Sequence, residues 1–466
     1  MRDHASKSRL RSVFLRGLAF IYLIAFASLL PQLEGLIGSN GILPAGEFLH
    51  SVHADYGSSA YILFPTLAWW NASDLFLRAL VWGGILLALL LLAGILPLPS
   101  ALGLYLLYLS IDTVGQTFYS FQWDALLLEA GFAALLVTPP GVRPLYTTPP
   151  SRLAVWVFRF LLFRLMFESG AVKLLSGDPS WRNLTALTYH YETQPLPTPL
   201  AWYAHQLPVF VQKISVLGVF AVELVVPFFF FAPRRLRAIA AWLTVGLQLL
   251  IAATGNYTFF NLLTILLCVF LFDVQAVPRA AWNVRLVAVV LIAIGLIQLL
   301  TTLGIAANLP EPFGSIDFRV ESLHMVNRYG LFAVMTTSRP EIIIEGSADG
   351  EAWLAYEFKY KPGDVFRPLR WVAPYQPRLD WQMWFAALSN YQSNPWFERL
   401  MVRLLENRPE VTSLLARNPF PDHPPRFVRA YTYDYHFTDW AVRRKTRAIW
   451  TRTPAGEYFP IVSLKQ

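Results

Sequence analysis

Three side chains in this sequence could move protons from within an apolar setting. They are Lys173 in "SGAVKLL", Glu223 in "AVELVVPFFFF" and His190 in "LTALTYHYETQPLPTPLAWYAHQLP". A lysine or glutamate desolvated among apolar residues can act as a general base, and a histidine titrates near neutrality unaided. The plainer alternative is mutual neutralisation. Glu223 has no opposite charge in its own run, so its partner must come from another helix, with Lys173 or Arg159 available. Lys173 also stands near a helix end, where its stem can snorkel outward. Around His190, the residues Tyr189, Tyr191, Glu192 and His205 suggest acid–base or metal chemistry, yet their spacing fits no zinc pattern. No metal site and no cofactor is expected. The one cysteine, Cys268, supports neither a thiol site nor an internal disulfide. Nothing resembles a phosphate loop, a nucleophile elbow or a nucleic-acid-binding stripe.

More charges lie inside apolar runs: Asp112, Asp124, Glu129, Arg159, Arg164 and Glu168. A charge at mid-bilayer costs about 2.5–3.5 kcal/mol on insertion scales, so each should face a partner or a cavity. Arg164 and Glu168 are four residues apart and can pair along one helix face, and Ser169 and Gly170 let a neighbour approach there. In "TGNYTFFNLLT", Asn256 reads as a helix cap and Asn261 as facing another helix. Asp124, Glu129, Arg164, Glu168, Lys173, Glu223, Asn256 and Asn261 thus form a candidate intramembrane polar network.

Those residues need helices in a bilayer to position them. The chain has 466 residues, 55% hydrophobic and 15% charged, against about 25% charged in soluble domains. Residues 1–308 carry 31 charged side chains and residues 309–466 carry 37 in about half the length, so the first part reads as a membrane domain and the second as a water-soluble one. Apolar runs of crossing length lie near 12–31, 74–96, 153–175, 208–232, 235–254, 257–275 and 284–307, with weaker ones near 100–118 and 122–138. That predicts about nine transmembrane helices, with a range of seven to nine. The first run has the basic head of a signal peptide but no small-residue cleavage motif, and reads as a retained helix. Arg2, Lys7, Arg9 and Arg11 put the N-terminus inside, and the loops with Arg143/Arg152, Arg234/Arg235/Arg237 and Arg279/Arg285 alternate consistently. An odd count leaves the loop 176–208 and the C-terminal domain outside. In that loop, alternating Pro195, Pro197 and Pro199 stiffen an extended path, and Trp202 and Tyr203 suit the bilayer interface.

Beyond residue 308 the pattern changes. Glu341–Glu345 and Trp353–Tyr360 flank a Ser-Ala-Asp-Gly turn, and Arg426–Asp439 alternates as a half-buried strand. "DWQMWFAALSN" and "WFERLMVRLLEN" have helical spacing. The expected fold is a polytopic α-helical membrane bundle, 1–308, followed by a small extramembrane α+β or β-sandwich-like domain, 309–466, with a helical insertion.

Several stretches together resemble the lipase maturation factor family: "FQWDALLLEAGF", "LLFRLMFESGAVKLLSGDPSWRNLTALTYHYETQPLPTPLAWYAHQLP", "ELVVPF" and "GNYTFFNLLT", then "NRYGLF", "YEFKYKPGD" and "APYQPRLDWQMWFAAL". The resemblance implies a multi-pass membrane protein that helps dimeric lipases such as lipoprotein lipase fold and assemble, in the endoplasmic reticulum in animals. It implies a chaperone-like factor with the bilayer and a secreted lipase-like hydrolase as partners, and no nucleic acid. A bacterial relative would sit in the plasma membrane. The outside surfaces then make Tyr189, His190, Tyr191, Glu192, Gln194, Trp202, Tyr375, Asp380, Trp381 and Trp384 candidate client contacts. "SGAVKLL" is also similar to a segment of the vitamin K-dependent carboxylase superfamily, which implies the alternative of an intramembrane enzyme with Lys173 as base.

Overall fold

The computed structural model describes residues 9–144, 149–272, 276–277, 281–305 and 320–464. Arg2, Lys7, Arg279 and the boundary at 308–309 lie outside the described residues. Every apolar run named above is helical where described. Six helices are long and apolar enough to cross a membrane: Arg11–Leu29, Asp74–Ala93, Pro97–Tyr119, Val209–Phe231, Arg234–Thr254 and Trp282–Thr302.

The structure therefore supports six such helices among the described residues, not nine. Gln122–Ala134 has 13 residues, about 20 Å at 1.5 Å per residue, and Phe260–Leu271 is also short; a crossing needs at least about 17 residues. Arg152–Leu175 is long enough at 24 residues but carries Arg152, Arg159, Arg164, Glu168 and Lys173. It is the bundle's central helix. Its Ser151 N-cap accepts from the Ala154 amide, and most of its length is buried against its neighbours, which take its charges away from lipid.

Contacts at the two ends of the bundle differ. At one end Arg11 donates to the Val137 carbonyl, the Leu96 amide to Val142 and the Arg152 amide to Val277, and Arg237 to Leu271. At the other end the loops meet the C-terminal part of the chain. There residues 184–208 of the loop 176–208 form helices Ala186–Thr193 and Pro199–His205 on either side of Pro195 and Pro197. Proline at the first position of the second helix is compatible with helix initiation, so only 194–198 is extended, bridging to Gly255 through Pro197.

The C-terminal part is α+β. A four-stranded antiparallel sheet has the order β2-β1-β5-β6, with β1 Pro340–Ser347, β2 Leu354–Ala355, β5 Phe427–Phe437 and β6 Trp450–Val462. β3 Glu357–Phe358 and β4 Leu415–Arg417 form a second, two-stranded sheet. Between β3 and β5 come the helices Arg378–Ala387 and Pro395–Leu405. The second buries Trp396, Phe397, Leu400, Met401, Leu404 and Leu405 along one face. A second sheet of two short strands makes no sandwich. Strand β6 was not anticipated: Pro454, Gly456 and Pro460 interrupt its alternation, which an edge strand tolerates. One apolar core runs from Phe14 in the first helix to Ile342, Phe397 and Phe459 in this part, so the two parts pack as one body.

Candidate functional site

Among the described residues, three clusters of buried charge involve the bundle helices, and only one of them follows the sequence expectation closely. A fourth, Arg339 and Lys361 on Glu341, lies within the C-terminal part. In the first, Asp124 receives the Arg378 guanidinium through both nitrogens at 2.9 and 3.0 Å, with Tyr108 and Gln376 completing its shell. Arg378 also donates to the carbonyl of Phe118 at 2.6 Å. Both partners are essentially without solvent exposure. A bidentate arginine–carboxylate pair of this kind fixes orientation as well as charge, and here it locks the first turn of the Arg378–Ala387 helix onto the bundle.

In the second cluster Arg164 pairs with Glu129 at 2.6 Å, across helices, instead of with Glu168 one turn away. Glu129 also accepts from the Asn327 amide at 2.8 Å and the Tyr329 hydroxyl at 2.8 Å, while Glu168 accepts from the Tyr329 amide at 2.9 Å. The expected i,i+4 pair is replaced because Arg164 turns to Glu129 on another helix while a single backbone amide, that of Tyr329, reaches Glu168. Beside this cluster, His324 lies 3.2 Å from Asp112. Burial opposes its charge, but that carboxylate and the Asn327 side chain outweigh it and raise the imidazole pKa to about 9.

The third cluster holds Lys173, which does not snorkel. It is 5% exposed and donates to the Ser169 carbonyl at 3.0 Å and to the two Glu223 oxygens at 3.1 and 2.8 Å. Trp181 lies under the ammonium, 5.4 Å from its ring centre. Glu223 sits on a π-helical turn, Ala221–Val225, just before Pro227, a local widening that often marks a specialised position. Gly170 allows this approach, since a Cβ there would stand 2.9 Å from that of Glu223. Nearby, Asn261 donates to Gln248 at 2.8 Å. Asn256 is no helix cap: it holds two strands of loop, donating to Leu196 and Arg370 carbonyls and accepting from the Val372 and Ala373 amides.

The 184–208 segment is stitched into the C-terminal part. Arg339 reaches the carbonyls of Glu192, Gln194 and Pro195, and Trp384 donates to the Thr193 carbonyl at 2.8 Å. The Glu192 carboxylate accepts from the Phe437 amide at 2.6 Å and from His436 at 3.0 Å. Gln194 donates to the Thr254 carbonyl and accepts from the Tyr257 hydroxyl at 2.9 Å. That hydroxyl also meets His190 Nε2 at 3.2 Å, and burial, aided by the Lys173 charge, lowers the His190 pKa to about 4. Trp202, expected at the bilayer interface, is fully buried against Tyr435, Phe437 and Trp450, with Arg443 4.0 Å above its ring.

Of the candidate client contacts, Tyr189 is 38% exposed and Tyr375 is half-buried against Tyr360. Tyr191 is half-buried. Glu192, Gln194, Trp202, Asp380, Trp381 and Trp384 are buried, leaving their side chains no face for a client. Asp380 accepts from the Tyr360 and Lys361 amides, and Trp381 packs on Trp123 at 4.7 Å. Sequence reasoning did not single out Arg378, Asn327, Tyr329, Arg339 or Gln248. Gln248 carries a signal as the lone amide side chain of its apolar run, whereas Arg378, Asn327, Tyr329 and Arg339 stand in polar stretches that single out none of them. Among the described residues no group of three His, Cys, Asp or Glu side chains is arranged to hold a metal ion.

Comparison with known proteins matches residues 9–279 to the lipase maturation factor transmembrane domain and residues 325–460 to the lipase maturation factor C-terminal domain. The chain is 37% identical to lipase maturation factor 2 of Gallus gallus, over 98% of this chain and 82% of that one. It is 37% identical to lipase maturation factor 2 of Homo sapiens, over 97% and 82%, and 36% identical to lipase maturation factor 1 of Bos taurus, over 97% and 89%. No solved structure is a significant match.

Proposed function

The chain belongs to the lipase maturation factor family, and from that premise we propose that this integral membrane protein acts, chaperone-like, in the maturation of an exported or lumenal lipase-like client. The observation that carries this reading is the extent of the similarity, which covers the helical and the C-terminal parts of the chain together. The structure supports it in one respect: the C-terminal part, held to the bundle by Arg378, Arg339 and Asn256, is a fixed platform. On it Trp440 is exposed beside the exposed Tyr203 of the Pro199–His205 helix, with ring centres 5.7 Å apart, next to Arg443 and Arg444. These aromatics with flanking cations suit a protein surface better than the buried Glu192, Gln194, Trp202, Asp380, Trp381 and Trp384 do.

In this reading residues 1–308 are the membrane domain, 176–208 its non-cytoplasmic loop and 309–466 the outside domain, an assignment that rests on the placement of the arginines and not on the count of six long apolar helices among the described residues. Sidedness is supported by the gathering of Arg11, Arg152 and Arg237 at the end of the bundle opposite the C-terminal part, as cytoplasmic loops require. The membrane is the endoplasmic reticulum for a eukaryotic chain and the plasma membrane for a bacterial one. The test is secretion of a dimeric lipase from cells lacking their own maturation factors, with and without this chain. The expected result is restored lipase specific activity at unchanged lipase synthesis. Unchanged specific activity across every lipase tried overturns the proposal.

A further inference from the structure

Side chains leave a cavity of about 720 Å³ between the Val209–Phe231 and Arg234–Thr254 helices, reaching inward to Lys173. That volume is typical of a site for a small organic molecule, about 300–1,000 Å³. Glycines stand on both walls, Gly218 and Gly246, and a Cβ at either would meet nothing within 4 Å. Neither glycine serves close helix packing, so both widen the space. Trp242, Leu243 and Leu250 line it while keeping 65%, 46% and 67% of their surface exposed. The cavity therefore reaches the apolar flank of the bundle, where a membrane protein meets lipid tails.

The inner end is polar and electrically balanced. Lys173 and Glu223 neutralise each other, and His190 is held by Tyr257. With the Tyr257 hydroxyl donated to Gln194, His190 Nε2 is the donor to Tyr257, and its other ring nitrogen is an acceptor without a hydrogen-bond partner among the described residues. Asn261, four residues beyond Tyr257, uses one amide hydrogen on Gln248 and keeps a second. Two acceptors, that ring nitrogen and the Asn261 side-chain oxygen, and one donor, the second Asn261 amide hydrogen, thus remain for a ligand among the described residues. A charged head group would bring an uncompensated charge into this balanced site, whereas hydroxyl and ester oxygens would complete its hydrogen bonds.

We propose that this cavity binds a neutral long-chain lipid of the acylglycerol type, taken sideways from the bilayer, with its hydroxyl and ester end at His190 and Asn261 and its chains between the two helices. The proposal rests on the chain being embedded in a membrane and is independent of any lipase client.

The test uses the full chain in phosphatidylcholine nanodiscs with a photoactivatable diacylglycerol. Labelling of residues lining the cavity is expected, displaced by excess unlabelled diacylglycerol and not by the same mole fraction of oleate. Gly246→Phe and Gly218→Phe, which fill the space from opposite walls, should each lower displaceable labelling by at least about tenfold, equivalent to 1.4 kcal/mol of binding. Gly246→Ala should retain it. Thermal unfolding of each variant separates a filled cavity from a misfolded protein, and the wild-type competition decides by itself if both Phe variants misfold. Labelling that is not displaceable, that oleate displaces equally, or that survives in both folded Phe variants overturns the proposal. None of these results bears on lipase secretion, so the maturation reading stands or falls separately.

Discussion

The Asp124–Arg378 junction and the Lys173–Glu223 pair are both ion pairs withdrawn from water in an apolar body, yet they are built for different ends. At the junction the carboxylate meets a bidentate guanidinium plus Tyr108 and Gln376, and the guanidinium also holds the Phe118 carbonyl. The two residues come from parts of the chain 254 positions apart. At Lys173 the pair is nearly as buried, but it forms the wall of a cavity. A fully enclosed pair fixes one arrangement of the chain. A pair beside open space neutralises itself and leaves neighbouring groups to a ligand. Burial alone therefore does not separate structural charge from functional charge; what lies on the far side of the pair does.

The largest effect that would test this contrast is at the enclosed pair. Arg378→Met should destabilise the protein by about 3–5 kcal/mol, because Asp124 is then buried without its cation. The readout is a large fall in the thermal unfolding temperature in detergent, and an unchanged temperature would refute a fixing role. Lys173→Met should cost less, about 1–3 kcal/mol, since the space beside Glu223 lets its stranded carboxylate turn towards the polar side chains at the inner end of the cavity. Lys173→Arg keeps the charge with space beside it and should be tolerated in both folding and lipase secretion. A folded, abundant but inactive Lys173→Arg protein would favour the base chemistry of the alternative reading.

Two glycines sharpen the comparison at smaller scale. At Gly170 a Cβ would press on Leu224 and Glu223 at 2.8 and 2.9 Å, so Gly170→Ala should destabilise by about 1–3 kcal/mol. At Gly246 the same change meets open space and should stabilise by about 0.5–1 kcal/mol through the better helix propensity of alanine. Unfolding temperatures that move the same way would show the cavity to be closed in solution.

A pH dependence is expected beside the second cluster. The His324 pKa is raised to about 9 by Asp112 and Asn327 against the cost of burial. Its contribution to stability is complete below the unfolded value near 6.5 and is lost as pH rises through about 9. Unfolding temperature should therefore decline between those limits in the wild type, and His324→Gln should flatten the decline.

Local pattern was enough for the elements. Each apolar run became a helix, "FVRAYTYDYHF" became a strand, and "PWFERLMVRLL" became a helix with one buried face, because periodicity of side chains along the chain is what selects helix or strand. Residue types also revealed that the membrane region carries buried charges needing partners. The partners were a different matter. Arg164 and Glu129 are 35 positions apart and Asn256 and Val372 are 116 apart, and no spacing rule ranks such distant choices. Glu168 looked like the natural mate of Arg164 until the fold delivered the Tyr329 amide to it. Trp202 looked interfacial until a sheet covered it. The cavity was invisible for the same reason: open space is a property of how helices pack together, and Gly246 reads identically in a sequence whether a neighbour fills the place of its missing side chain or nothing does. Composition and period fixed what each segment is, while tertiary packing alone decided which charges are enclosed and which face a space that a ligand can enter.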